Sequence, residues 1–180
     1  MAIIENVAPA VGNEAAWFSL PDTDGVLHEL TAAPATVLVF TCNHCPYALG
    51  WHERLIAVAR DYAQRGVQTL AINPNDAERY PGDSLVAMRA RVEAGDFGEV
   101  PYLRDESQQV AREYDAKTTP DVFVIDEAGV IRYRGAPDGD VDDVALNAAW
   151  LRSALDAVLD GRDPDPAETP PVGCTIKWRA

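Results

Sequence analysis

The sequence predicts an α/β protein whose central mixed β-sheet is flanked by helices, and three observations lead there. The run "TVLVF" (36–40) is apolar and rich in β-branched residues after its opening threonine, as suits a strand buried on both faces. Between it and a second such run, "VQTLAI" (67–72), Leu55, Val58, Ala59 and Tyr62 recur at i, i+3, i+4 and i+7, which makes one apolar helical stripe. Strand, helix, strand at this spacing is a βαβ unit, so the two strands should be parallel. Late in the chain, "DVFVID" (121–126) and "VIRYRG" (130–135) flank a tight "EAG", which predicts an antiparallel hairpin with a half-exposed second strand.

The remaining elements follow in order. "WFSLPDTDGVLHEL" (17–30) reads as an N-terminal β-hairpin, with Pro21, Asp22, Asp24 and Gly25 supplying the turn. Pro46 suits the first turn of the first helix, where a missing N–H costs little, and Gly66 is placed to cap its end. Residues 73–84 read as a loop, 85–94 as a helix, 100–105 as a short extended piece and 106–116 as a helix with Val110, Ala111 and Tyr114 on one face. This is a helical insertion between the βαβ unit and the hairpin. A last helix is expected over 141–160, with Leu151, Leu155, Val158 and Leu159 inward and Gly161 as its stop. "RDPDPAETPP" (162–171) is Pro-rich and acidic and predicts an extended tail. Ile176 and Trp178 bring apolar surface back, so 162–180 should dock on a single domain spanning 1–180.

Composition narrows the function. The 180 residues are 47% hydrophobic and 24% charged, with a net charge of −14. Such a surface repels phosphate backbones and anionic headgroups, so neither nucleic acid nor a membrane is an expected partner. No run of about 18 apolar residues occurs. The opening "MAIIENVAPAVGNEAAWF" has neither a basic start nor an apolar core of the signal-peptide kind, so a cytoplasmic address is expected, where thiols stay reduced.

The chemistry concentrates in "FTCNHCPYALGWHERL" (40–55). Cys42 and Cys45 stand two residues apart, between a buried strand and a helix. A cysteine just before a helix N-terminus is expected to favour the thiolate, which is the nucleophile. On this reading Cys42 attacks a disulfide and Cys45, one turn on, resolves the mixed disulfide. His44 would lower the Cys42 pKa further. Two other readings stay open: a zinc site using Cys42, Cys45, His44 or His52 and Cys174, and cysteines that only pack. Asn73 and Asn75 should open on the same sheet edge and line a substrate groove, or else form a turn around Pro74. Cys174 is a possible third redox cysteine or a buried small hydrophobe. His28 and His52 are expected at the surface, and Tyr47 and Trp51 either shape the groove or join the core.

"FSLPDTDG", "VFTCNHCPY" and "TTPDVFVIDEAGVIRYRG" together resemble the thioredoxin superfamily, and more narrowly its AhpC/TSA and TlpA-like redoxin branch, over about residues 15–178. The resemblance implies a thioredoxin-like fold and a thiol–disulfide oxidoreductase with no organic cofactor and no metal. Its partners would be a protein or small-molecule disulfide or thiol and a separate reducing partner. It makes Cys42 the attacking and Cys45 the resolving cysteine, and Thr119-Pro120 a cis pair that binds substrate backbone. The chain departs from thioredoxin itself, with Thr41 before the first cysteine, Asn43-His44 inside the pair and Thr36 where a buried aspartate is expected. A histidine before the second cysteine resembles disulfide-forming enzymes. A peroxiredoxin-like thiol peroxidase is the alternative, although neither cysteine carries the P-x-x-x-T-x-x-C pattern. A non-catalytic thioredoxin-fold binding module is the other.

Overall fold

The computed structural model describes residues 11–180, so the reading of the first ten residues lies outside it. Five strands form the central sheet in the order β5-β4-β3-β7-β8. These are β3 (Ala35–Phe40), β4 (Val67–Asn73), β5 (Tyr102–Arg104), β7 (Asp121–Asp126) and β8 (Ile131–Gly135). The first three run parallel, and β7 and β8 pair antiparallel beside β3. All six residues of β3 are buried, as a continuous apolar run at the sheet centre requires. A short hairpin, β1 (Ser19–Pro21) with β2 (Leu27–Glu29), precedes the sheet.

The pleat sends alternate residues of each strand to opposite faces. Val37, Val39, Val122 and Val124 face helices α1 (Pro46–Ala63) and α4 (Ala149–Leu159), meeting Trp51, Leu55, Val58, Leu151 and Leu155. Leu38, Phe40, Phe123 and Ile125 face the other side, under Val110 and Ala111 of α3 (Gln109–Glu113), Tyr114 just beyond it, and Ile176 of the tail. Helix α2 (Leu85–Glu93) closes a smaller cluster, with Met88 against Phe97 and Tyr102.

Three details differ from the expected elements. The last helix begins at Ala149, because Asn147 and Ala148 take left-handed backbone after a short 3-10 turn over Val144–Leu146. The preceding segment wraps Asp138, which accepts from Ala148 N–H at 2.9 Å and from Arg54 at 2.8 Å. Helix α3 is one turn shorter at its start, since Gln108 is also left-handed. His52 is buried, not at the surface: its ring meets the edge of Phe97 and its Nε2 lies 2.8 Å from the Asp96 carbonyl. Helix α1 is thus covered on two sides, and the stripe at Leu55 marks only one.

The tail is pinned along its length. Thr169 is buried, and its hydroxyl accepts from Ala136 N–H at 2.9 Å. Further on, β9 (Cys174–Thr175) pairs antiparallel with β6 (Thr118–Thr119), which sets Cys174 opposite Thr119. Gly173 is needed there, since a Cβ would fall 2.4 Å from the Thr119 carbonyl oxygen.

Candidate active site

Strand β3 delivers the cysteines to the carboxyl edge of the parallel strands, where open α/β sheets place their ligands. Thr41 N–H still donates to Ile72 O at 2.8 Å, and Cys42 follows at once. Cys45 is the N-cap of α1 and Pro46 its first residue. The sulfurs are shielded: Cys42 is 1% exposed and Cys45 0%, and both pack with Ala48 and the half-buried Cys174. All three cysteines are free thiols. Thr119 serves both members of the pair. Its hydroxyl lies 3.3 Å from Cys42 Sγ, and its carbonyl accepts from the Cys45 thiol at 3.1 Å. The bond from Thr119 to Pro120 is cis.

A hydrogen bond between the two sulfurs divides their acidity. It is the largest cause that holds Cys45 down at about 4 and that pushes Cys42 far above the usual thiol range. Burial raises both, the Thr119 hydroxyl lowers Cys42, and the Asp83 carboxylate raises it. The pair therefore gives up one proton readily and the second reluctantly, so its charge belongs to both sulfurs. Cys45 also caps the helix.

Sequence reasoning missed Asp83, the polar centre of the site. It lies in a 3-10 turn, Pro81–Asp83, and is 0% exposed. Its carboxylate accepts from Asn43 N–H at 2.6 Å, Asn73 Nδ2 at 3.2 Å and Asn75 Nδ2 at 3.0 Å. His44 Nδ1 lies 2.6 Å from its other oxygen, with the imidazole stacked on Tyr80. Behind Asp83, Tyr102 and Arg91 both donate to Asn43 Oδ1, and Arg104 Nη2 donates to Asn75 O at 2.7 Å. His44 thus pairs with a carboxylate.

This geometry corrects the expectation for Asn73 and Asn75. They are 0% and 1% exposed and do not line an open groove. Their amides hold Asp83, and Asn75 Oδ1 accepts from Lys177 N–H at 2.9 Å, which ties the tail to the site. Tyr47 is partly exposed at the start of α1, whereas Trp51 is core, with its Nε1 donating to Asp138. His28 is half-buried and pairs with Asp22 at 2.8 Å. Among the described residues, Cys42, His44 and Asp83 bring one sulfur, one nitrogen and one oxygen within 4.8 Å of one another. A metal ion there would compete with the four donors already on Asp83. His52, engaged with Asp96, is not part of that set.

Solved structures with this architecture are known. An uncharacterized conserved protein from Geobacillus kaustophilus is 39% identical, over 94% of this chain and 93% of that one, with a TM-score of 0.88. A hypothetical protein from Sinorhizobium meliloti is also 39% identical, over 96% and 97%, with a TM-score of 0.90. A secreted Mycobacterium tuberculosis disulfide oxidoreductase homologous to Escherichia coli DsbE shares the thioredoxin-like fold at 17% identity, over 73% and 94%, with a TM-score of 0.56. A search of curated proteins finds no match. The family model that matches residues 11–134 settles the kinship that the strand, the cysteine pair and the hairpin suggested: the chain belongs to the AhpC/TSA family.

Proposed function

We propose that the protein is a thiol–disulfide oxidoreductase that cycles Cys42 and Cys45 between dithiol and disulfide. The observation that carries this reading is the shared partner: both sulfurs contact Thr119, one through its hydroxyl and one through its carbonyl. This contact gives each sulfur a hydrogen-bond partner. With the pair's one proton on Cys45, its thiol donates to the Thr119 carbonyl and the charge lies on Cys42 beside the Thr119 hydroxyl. Cys42 then attacks one sulfur of a substrate disulfide, and the other leaves as a thiolate. Cys45, deprotonated again, attacks Cys42 Sγ and releases the second substrate thiolate, leaving a Cys42–Cys45 disulfide. The reverse sequence oxidises a substrate dithiol. The likeness in fold to a secreted disulfide oxidoreductase homologous to Escherichia coli DsbE supports the same class.

The test is turnover with a small disulfide such as oxidised glutathione, with a dithiol as the reductant. Cys42→Ser is expected to lower turnover by roughly 10³-fold. Thiol counts in glutathione buffers should give one two-electron transition between about −120 and −270 mV. Consumption of hydrogen peroxide at a far greater rate than disulfide exchange would replace this reading with a thiol peroxidase. Full activity in Cys42→Ser would remove it.

A further inference from the structure

Cys174 sits about 130 residues after the pair in sequence, yet it completes the sulfur pocket. Strand β9 sets it opposite Thr119, the residue that contacts both other sulfurs. Its thiol is hydrogen-bonded with Cys45. Of the three cysteines it alone has appreciable exposure. The tail that carries it is fixed on both sides, by Thr169 before and by Lys177 on Asn75 after.

Building on the dithiol reading above, we propose that Cys174 is a third redox cysteine, which attacks Cys45 in the Cys42–Cys45 disulfide. The products are a Cys45–Cys174 disulfide and a Cys42 thiolate that takes up a proton. One S–S bond breaks and one forms, so no outside oxidant or reductant is used. The exchange carries the disulfide from a fully buried pair to a partly exposed one, where an external thiol reductant can reach it. It also frees Cys42 for a second attack.

The chemistry is timed by the state of the pair. In the reduced protein Cys174 is pushed up to about 11, first by burial and then by its hydrogen bond with Cys45 and the charge there. Oxidation of the pair removes the Cys45 charge and that bond, which leaves burial opposed by Lys177. Cys174 therefore becomes a better nucleophile only once there is a disulfide to attack.

Oxidation of the full chain with one equivalent of diamide, alkylation of free thiols, and non-reducing tryptic mapping would test this. Cys42 and Cys45 lie together on a peptide that ends at Arg54, and Cys174 lies on 163–177. A Cys45–Cys174 disulfide therefore joins two peptides, whereas Cys42–Cys45 does not. The wild type is expected to show both forms, and Cys42→Ser is expected to keep the cross-link. Oxidised Cys174→Ser should be reduced by glutathione roughly tenfold more slowly than the wild type. A cross-link absent from both wild type and Cys42→Ser, with Cys42–Cys45 formed normally, would overturn the proposal and leave the dithiol reading intact. A chain that forms no disulfide with Cys42 would overturn both. The wild-type map needs no variant to fold.

Discussion

Two buried aspartates anchor neighbouring stretches, Asp138 the first half of α1 and Asp83 the loop that leads into it, and they differ in what faces them. Asp138 accepts from Trp51, Arg54, Ala148 and Asp140, and its counterion is the Arg54 guanidinium at 2.8 Å. Asp83 accepts from Asn43, Asn73 and Asn75, and its counterion is His44. Arginine is charged at any pH a protein survives, whereas histidine carries charge only when protonated. The side away from the cysteines is therefore anchored by a fixed ion pair. The side that carries them is anchored by amides, with a switchable cation 38% exposed at the edge. The comparison teaches that a rigid scaffold and a tunable charge are supplied by the same residue type, told apart by its partner.

The largest way to break this comparison is to remove the fixed cation. Arg54→Met leaves the Asp138 carboxylate buried without its counterion, and the expected loss is about 3–5 kcal/mol in urea unfolding. An equal loss in Cys42 thiol reactivity is not expected, because Arg54 touches only Asp138 and the chain around Asp140 and Val141.

A third buried aspartate sharpens the contrast with an intermediate effect. Asp121 accepts from Lys117 N–H at 2.9 Å, but one of its oxygens has no hydrogen-bond partner. Burial pushes its pKa up to about 6 from 3.8, against that hydrogen bond and Arg134, which lower it. The folded state thus holds a proton that the unfolded chain releases. Its contribution is favourable at low pH and is lost as pH rises from about 4 to about 6, by roughly 3 kcal/mol in all. Asp121→Asn should flatten that part of the curve of stability against pH, measured from urea midpoints at pH 4, 5, 6 and 7. An unchanged slope would show that the carboxylate is not responsible.

The smallest expected effect on stability lies at the switchable cation. His44→Ala should change unfolding by under about 1 kcal/mol, since an ion pair with one exposed partner is screened by solvent. Where the imidazole is protonated, its loss should nevertheless make the cysteine pair more reducing, by up to about 30 mV at low salt, because Asp83 then opposes the Cys42 thiolate without a cation in front of it. Redox titration at two ionic strengths would detect this, and a shift towards a more oxidising potential would reverse the sign assigned to His44.

Much of this was legible in the sequence, for reasons that are local. The buried runs at 36–40 and 67–72, the stripe through Leu55 and the C-x-x-C between strand and helix are patterns within a few residues of one another. Asp83 was not legible, because its four donors come from two stretches about 30 residues apart and meet only when β3 and β4 pair. A Pro-Gly-Asp turn before Ser84, which caps α2, was the one available sign. His52 was misread for a related reason: the stripe shows which side of α1 faces the sheet, but not that the 94–100 loop covers another. The late start of α4 has no glycine to announce it, since Asn147 and Ala148 make the left-handed turn.

The close approach of Gly173 to the Thr119 carbonyl has a consequence for how the protein is made. A wall of the sulfur pocket is laid by a segment about 130 residues after the cysteines, and that segment fits only with a hydrogen where other residues have a side chain. Until residue 174 has been made and folded back, Thr119 lacks its strand partner, and the two cysteines near residue 45 have waited through about 130 further residues without that cover. The dithiol is thus at its most accessible in the nascent chain, and the tail that closes the pocket also ends that period of chemical vulnerability.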